Sequence, residues 1–325
     1  MTVPFLLAPM AGLSHRALRE LIESFKPPDE YFTEMISAGA FINGGRFEEW
    51  YADGGPSPEK VVYQLVGNDA DQLAKAAALL DQRECRGIDI NMGCSAPAIT
   101  RIGAGVRWMA DIEKAAALIR QVRPRTRRRL SVKLRTGLTD NFDYLVRFCR
   151  RLEDEGVELI TLHPRTAKEK FKRSPRWDYV SALRGELRIP LAGNGDIASA
   201  EEMLSRSGEC DAVMIGRLAV RQPWVFARIQ SIKASGGKTL SAAAPKIDLE
   251  ETGLRFLELL SRYQPPEFHL SRARRFFSYF CDNLKWGNYV KTLLNREEDI
   301  PGIERAWKGC FADTQLEESA LSMVH

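Results

Sequence analysis

GIDINMGC, residues 87–94, is a strand-length apolar run that ends at a glycine and a reactive side chain. Ile88, Ile90 and Met92 make it near-continuously apolar, the pattern of a parallel strand covered on both faces. The same design recurs along the chain every few dozen residues. FLLAPM (5–10) ends at Pro9-Met10, YFTEM (31–35) holds Glu34, and VVYQLVG (61–67) holds Gln64 and Gly67. SVKLR (131–135) carries Lys133 and Arg135, and LITLHPR (159–165) carries His163 and Arg165. IPLAGNGD (189–196) carries Asn194 and Asp196, and AVMIGR (212–217) ends at Gly216-Arg217. Between them lie helical patterns with start signals at Ser14, Asp69, Asp111 and Ser199, whose oxygens suit a first-turn N–H. Strand–helix alternation repeated eight times, with chemistry at the strand ends, predicts an α/β fold, a (β/α)8 TIM barrel with its active site at the C-terminal face.

The barrel pattern accounts for residues 1–233, and a Gly/Ser/Ala-rich stretch with Pro245 marks a linker at 234–247. Beyond it, 248–325 shows only helical spacing and predicts a separate all-helical bundle domain. Phe276, Phe277, Tyr279, Phe280 and Trp286 read mostly as the core of that bundle.

With 44% hydrophobic and 28% charged residues, the 325-residue chain has the composition of a globular protein with a sizeable core. Its net charge is only +4, but basic residues cluster at Arg120–Arg129, Lys168–Arg176 and Arg272–Arg275. Such clusters are either solvated faces or contacts for an anionic polymer. The six cysteines are scattered without ligand spacing, which supports neither zinc nor a disulfide framework. No run reaches membrane-spanning length, and FLLAPMAGL has a proline and no basic segment before it, so it reads as a first strand and not a signal peptide. The expectation is a cytoplasmic monomer without metal or membrane.

GNGDI (193–197) and IGR (215–217) follow strands seven and eight, where barrels commonly bind a phosphate through backbone N–H groups and a helix start. Lys133, in an otherwise apolar strand, either meets an anionic or electron-rich partner in the barrel mouth or makes a structural salt bridge. His163 and Arg165 end the next strand. Cys94 sits at the mouth of strand four, where a thiol, mostly protonated at neutral pH, can act as a general acid; a small buried hydrophobe is the alternative, and a nucleophile is a third reading that no nearby His–Asp/Asn pattern supports.

Taken together, LAPMAGLSHRALREL (7–21), TEM (33–35), VVYQLVGND (61–69), GIDINMGC, VKLRTG (132–137), LITLHPRT (159–166), LAGNGDI (191–197) and DAVMIGR (211–217) resemble, in order, the tRNA-dihydrouridine synthases. That resemblance implies FMN across the barrel mouth, with Pro9, Met10 and Ala11 against the ring, Gln64 and Lys133 at its polar edge and His163 beside it. It implies Asn194, Gly195, Asp196, Gly216 and Arg217 at the FMN phosphate. Cys94 would protonate uracil C5 while flavin N5 delivers hydride to C6, Asn91 and Arg165 would position the uracil, and NADPH would supply electrons. The helices from FHLSRARRFFSYF (268–280) loosely resemble the RNA-binding domain of the subgroup acting on a D-loop uridine. Arg272, Arg274, Arg275 and Lys285 would then contact the backbone of tRNA, with ribosomal RNA as another possible substrate. Two departures stand out: Ser95 replaces the proline usual after the catalytic cysteine in CSAPAITRIGAG (94–105), where Gly103 and Gly105 are retained, and HPRT replaces His-Gly-Arg-Thr. The alternatives are an FMN barrel acting on a free pyrimidine, as dihydroorotate dehydrogenases do, or a redox-inactive RNA-binding barrel.

Overall fold

The computed structural model describes residues 3–170, 172–235 and 247–312. Eight parallel strands close into a barrel in chain order: β1 (Phe5–Leu7), β2 (Glu30–Ser37), β3 (Val61–Val66), β4 (Gly87–Met92), β5 (Arg129–Gly137), β6 (Leu159–Thr166), β7 (Leu191–Asn194) and β8 (Ala212–Ile215). Pairing of Phe5, Leu6 and Leu7 with Val213, Met214 and Ile215 completes the ring. Every residue of β3, β4 and β6 is buried, as the continuous apolar pattern requires.

Side-chain caps start several of the connecting helices. Asp69 accepts from Gln72 N, Asp111 from Lys114 N and Ser199 from Glu202 N. The start signal at Ser14 resolves differently. Helix Arg16–Phe25 begins one residue later with His15 as an uncapped N-cap, while the Ser14 hydroxyl accepts from Met10 N at 2.8 Å and closes a tight turn.

The chain divides into two compact units, Met1–Pro9 with Pro28–Ile215 and Met10–Pro27 with Gly216–His325. The first holds all eight strands. In the second, helix Arg16–Phe25 joins the helices after β8, including Leu249–Tyr263, Pro266–Phe280, Gly287–Arg296 and Ile300–Ala312. The expected linker lies, for residues 236–246, outside the described residues. The second unit packs around an aromatic cluster. Phe256 stacks on Phe276 with ring centroids 3.7 Å apart, and Trp307 sits 4.8 Å from Phe277 with its indole N–H donated to Glu250 O. Phe276, Phe277 and Phe280 are core residues as expected, whereas Trp286 is 53% exposed. No helix among the described residues is long and apolar enough to cross a membrane.

Candidate active site

The C-terminal ends of β3, β4, β5 and β7 bring together most of the polar side chains singled out in the first unit. Gln64 of β3 donates through Nε2 to Asp89 Oδ2 at 2.7 Å and accepts from Asn91 Nδ2 at 2.9 Å. Asn91 Oδ1 then accepts from the backbone N–H groups of Gly93 (3.2 Å) and Cys94 (2.9 Å). The same carbonyl thus fixes the start of the Cys94 loop. Further along, Cys94 O accepts from Val106 N at 3.0 Å. Gly105, at φ +62°, makes that closure possible, because a Cβ there would lie 2.4 Å from Cys94 O. Two features of the loop therefore survive the departure at Ser95. The proline appears instead at Pro97, the first residue of the short helix Pro97–Arg101, where its fixed φ and missing N–H cost nothing.

Cys94 is the one half-exposed thiol of the six; the other five are buried. Burial pushes the Cys210 thiol up to about 11, and it raises Cys85, Cys149, Cys281 and Cys310 as well. Those five are packing residues.

Lys133 of β5 donates to Asn194 Oδ1 at 2.9 Å, and Asn194 Nδ2 donates to Met214 O of β8 at 2.8 Å. Among the described residues no carboxylate is within ion-pair distance of Lys133. Burial is the main force that brings its ammonium down to about 8; Arg135 adds to the shift and Asp89 opposes it. Burial likewise pushes Asp89 up to about 6, against the hydrogen bonds from Ser131 and Gln64.

A second cluster forms at β6 and the turn after β7. Arg165, 1% exposed, grips Asp196 with both terminal nitrogens, one at 2.9 Å from Oδ1; it also meets His163 Nε2 at 3.1 Å and Arg173 O. Asp196 adopts a left-handed φ of +47°, and Gly195 precedes it at +140°. A Cβ on Gly195 would lie 3.0 Å from His163, so the turn is built around the imidazole. Pro164 sits where the β5–β6 register shifts between Arg135 and Gly137, the position at which a strand tolerates a missing donor.

The sequence marks Arg135 only as part of its strand. It is 6% exposed and donates to Gly93 O, Thr166 O and Lys170 O, so it ties the Cys94 loop to the loop after β6. Asp89 and Ser131 likewise carry no role in the sequence reading. The signal available for Asp89 was an acidic residue inside a buried strand run, which needs donors close by.

Pro9 follows β1, while Met10, Ala11, Gly216 and Arg217 belong to the second unit. There Gly216 directly precedes helix Arg217–Arg221, and Arg217 is exposed. In the same unit the three arginines expected to face RNA part company. Arg272 is 4% exposed with its guanidinium 4.6 Å over the Phe268 ring. Arg274 donates to Glu297 O at 2.7 Å, and Arg275 is exposed. Arg272 therefore points its charge into the bundle, because the i, i+4 spacing in RARRFF places it on the apolar stripe with Phe276. Lys285 is exposed beside Trp286. Among the described residues no group of three or more His, Cys, Asp or Glu side chains is placed to hold a metal ion.

The dihydrouridine synthase family model matches residues 6–300. A probable tRNA-dihydrouridine synthase of Rhizobium leguminosarum bv. phaseoli is 33% identical over 280 residues, 85% of this chain and 84% of that protein. The tRNA-dihydrouridine synthase B of Pectobacterium carotovorum is 27% identical over 317 residues, 96% of this chain and 97% of that one. Among solved structures, a 2-naphthoyl-CoA reductase shares the fold at TM-score 0.53 and 9% identity, over 72% of this chain and 50% of that one. Barrel, strand-end constellation and family match converge: the chain is an enzyme of the dihydrouridine synthase family.

Proposed function

We propose that this enzyme reduces uridine to 5,6-dihydrouridine in tRNA, with FMN as its resident cofactor and NADPH as electron source. The observation that carries this reading is a half-exposed thiol, Cys94, held by Asn91 at a barrel mouth that also presents the buried ammonium of Lys133. Flavin, when bound, supplies hydride to uracil C6. The residues fit such a group. Among the described residues Lys133 has no carboxylate within ion-pair distance, and a buried cation of this kind suits a ring that gains negative charge on reduction. Gln64 retains one amide hydrogen for a ligand, since only the other goes to Asp89. The roles expected of Pro9, Met10, Ala11, Asn194, Gly195, Gly216 and Arg217 belong to the same reading. Asp196 contributes differently, because a carboxylate beside a phosphate repels it; its part is to hold Arg165 in place. Cys94 holds the proton that uracil C5 takes up. In this reading His163 orients what enters the mouth, and Arg165 acts behind it as its hydrogen-bond partner.

Purified protein is expected to be yellow, or to become so with added FMN, and to form dihydrouridine in unmodified tRNA with NADPH. Failure to bind flavin even in excess FMN removes the redox reading. Turnover of free uridine or orotate in preference to tRNA would favour the free-pyrimidine alternative.

The barrel unit's two basic clusters lie at opposite ends of the strands. Arg125, Arg127 and Arg128 precede the first residues of β5, and Arg120, Arg123 and Arg129 already pair with Glu155, Glu158 and Glu30. Lys168, Lys170 and Lys172 follow the end of β6, on the same side as Cys94, and are exposed. Neutralising the three lysines is therefore expected to weaken tRNA binding and flatten its salt dependence by about one unit of slope for each lost phosphate contact. Neutralising Arg125, Arg127 and Arg128 leaves the slope unchanged. Binding isotherms between low and moderate salt check this, and the opposite pattern would move the RNA track to the other rim.

A further inference from the structure

Asp89 has no role in the reaction as described, yet it is fully buried in the middle of β4 and receives two side-chain hydrogen bonds. Ser131 Oγ donates to its Oδ1 at 2.7 Å and Gln64 Nε2 to its Oδ2 at 2.7 Å. From there the contacts run in series through Gln64 Oε1, Asn91 Nδ2, Asn91 Oδ1 and the backbone N–H groups of Gly93 and Cys94.

An amide side chain can be turned end for end at little cost unless its partners differ in kind. Here they do. A carboxylate accepts only, so Gln64 must turn its NH2 towards Asp89 and its oxygen towards Asn91. Asn91 must then offer its NH2 to Gln64, which leaves its oxygen for the two backbone donors at the Cys94 loop. Reversing the series would set Gln64 Oε1 against a carboxylate oxygen and the Asn91 NH2 against two N–H groups. The backbone of Gln64 is held independently, by Thr33 Oγ1 accepting from its N–H at 3.0 Å, so the side chain cannot escape by shifting along the strand.

On this geometry we infer that Asp89 is a positioning residue: its carboxylate sets the direction of the Gln64–Asn91 relay and so the placement of Cys94. The inference rests on the proposed role of Cys94 for its catalytic consequence, but not for the relay itself. One consequence concerns ligands. With the relay set this way, Gln64 and Asn91 each keep a single N–H for a ligand, and the Asn91 oxygen, which already accepts from two backbone N–H groups, offers none of its own capacity.

The test compares Asp89→Leu, Asp89→Asn, Asn91→Ala and the Asp89→Leu/Asn91→Ala double variant in two assays. In the first, iodoacetamide alkylation of Cys94 is followed by peptide mapping. Asp89→Leu and Asn91→Ala are expected to accelerate it several-fold by the same factor, with no further change in the double variant. Asp89→Asn, whose amide oxygen still accepts from Gln64, stays near wild type. In the second assay, kcat for uridine reduction in Asp89→Leu is expected to fall by about 10²-fold, the cost of a reacting group misplaced by about 1 Å, with KM for tRNA unchanged. Wild-type alkylation in Asp89→Leu, or full additivity in the double variant, overturns the relay. Should Asp89→Leu fail to fold, Gln64→Leu cuts the same series one link on and carries the same expectations. The alkylation arm needs no turnover, so it decides the relay even where the uridine-reduction reading fails.

Discussion

Cys94→Ala is expected to lower the rate of uridine reduction by about 10²–10⁴-fold, the range supplied by a positioned general acid. Reduction at C6 leaves carbanion character at C5, and that carbon needs a proton from a group held within reach. Three observations support the proposal that Cys94 is that group. It is the half-exposed thiol among six, its backbone N–H is fixed by Asn91, and the chain beyond it is closed on its own carbonyl by Val106. Because the substitution removes only the sulfur, flavin content and the reduction of bound flavin by NADPH are expected to stay at wild-type levels. Single-turnover reduction of unmodified tRNA by pre-reduced protein isolates the affected step. Cys149→Ala and Cys281→Ala serve as controls, since both thiols are buried and their deprotonation is suppressed by burial. Wild-type turnover in Cys94→Ala would transfer the acid role elsewhere, with the hydroxyl of Ser95 first in line.

The barrel was legible because parallel strands covered on both sides must be apolar throughout, and GIDINM and LITLHP state this directly. The strand-end residues were legible for the same reason, since polar groups in such runs need a purpose. What the sequence concealed is how those groups spend their hydrogen bonds. Arg165 reads as a substrate contact, but its guanidinium is taken up by Asp196, His163 and Arg173 O, which lie up to 31 residues away in the chain. Arg272 reads as a phosphate contact, but the helical period turns it inward. Helix Arg16–Phe25 lies between β1 and β2 in sequence and reads as an ordinary barrel helix. It groups instead with the C-terminal helices, where His15 faces Phe256 at 6.1 Å between ring centroids. Nothing local to residues 14–25 announces that partner, because an apolar helix face does not specify what covers it.

Lys133→Met is expected to lose flavin affinity and reduction rate while gaining stability at neutral pH, an opposition that a structural salt bridge would not produce. The ammonium is buried and its neighbour is the neutral carbonyl oxygen of Asn194, so the charge is held at a cost. Its pKa of about 8 lies below that of a free lysine because burial disfavours the charged form. The sign follows from linkage. Below about 8 the group is charged in both folded and unfolded chains, and the folded state bears the penalty. Between about 8 and the usual lysine value near 10.4, the unfolded chain still binds the proton and the folded one does not, so stability rises with pH across that window. In Lys133→Met this rise disappears, and denaturant titrations at pH 7 and pH 9.5 on both proteins measure it. Binding runs the other way, because an anionic ligand needs the charge. FMN affinity of the wild type is expected to fall as pH rises through the lysine's titration, and in Lys133→Met to be low and flat over the same range. Removal of one preorganised charge contact costs about 10²–10³-fold in rate, so reduction of added flavin by NADPH is expected to slow by about that factor. Unchanged flavin affinity together with lower stability in Lys133→Met would return the lysine to a purely structural role.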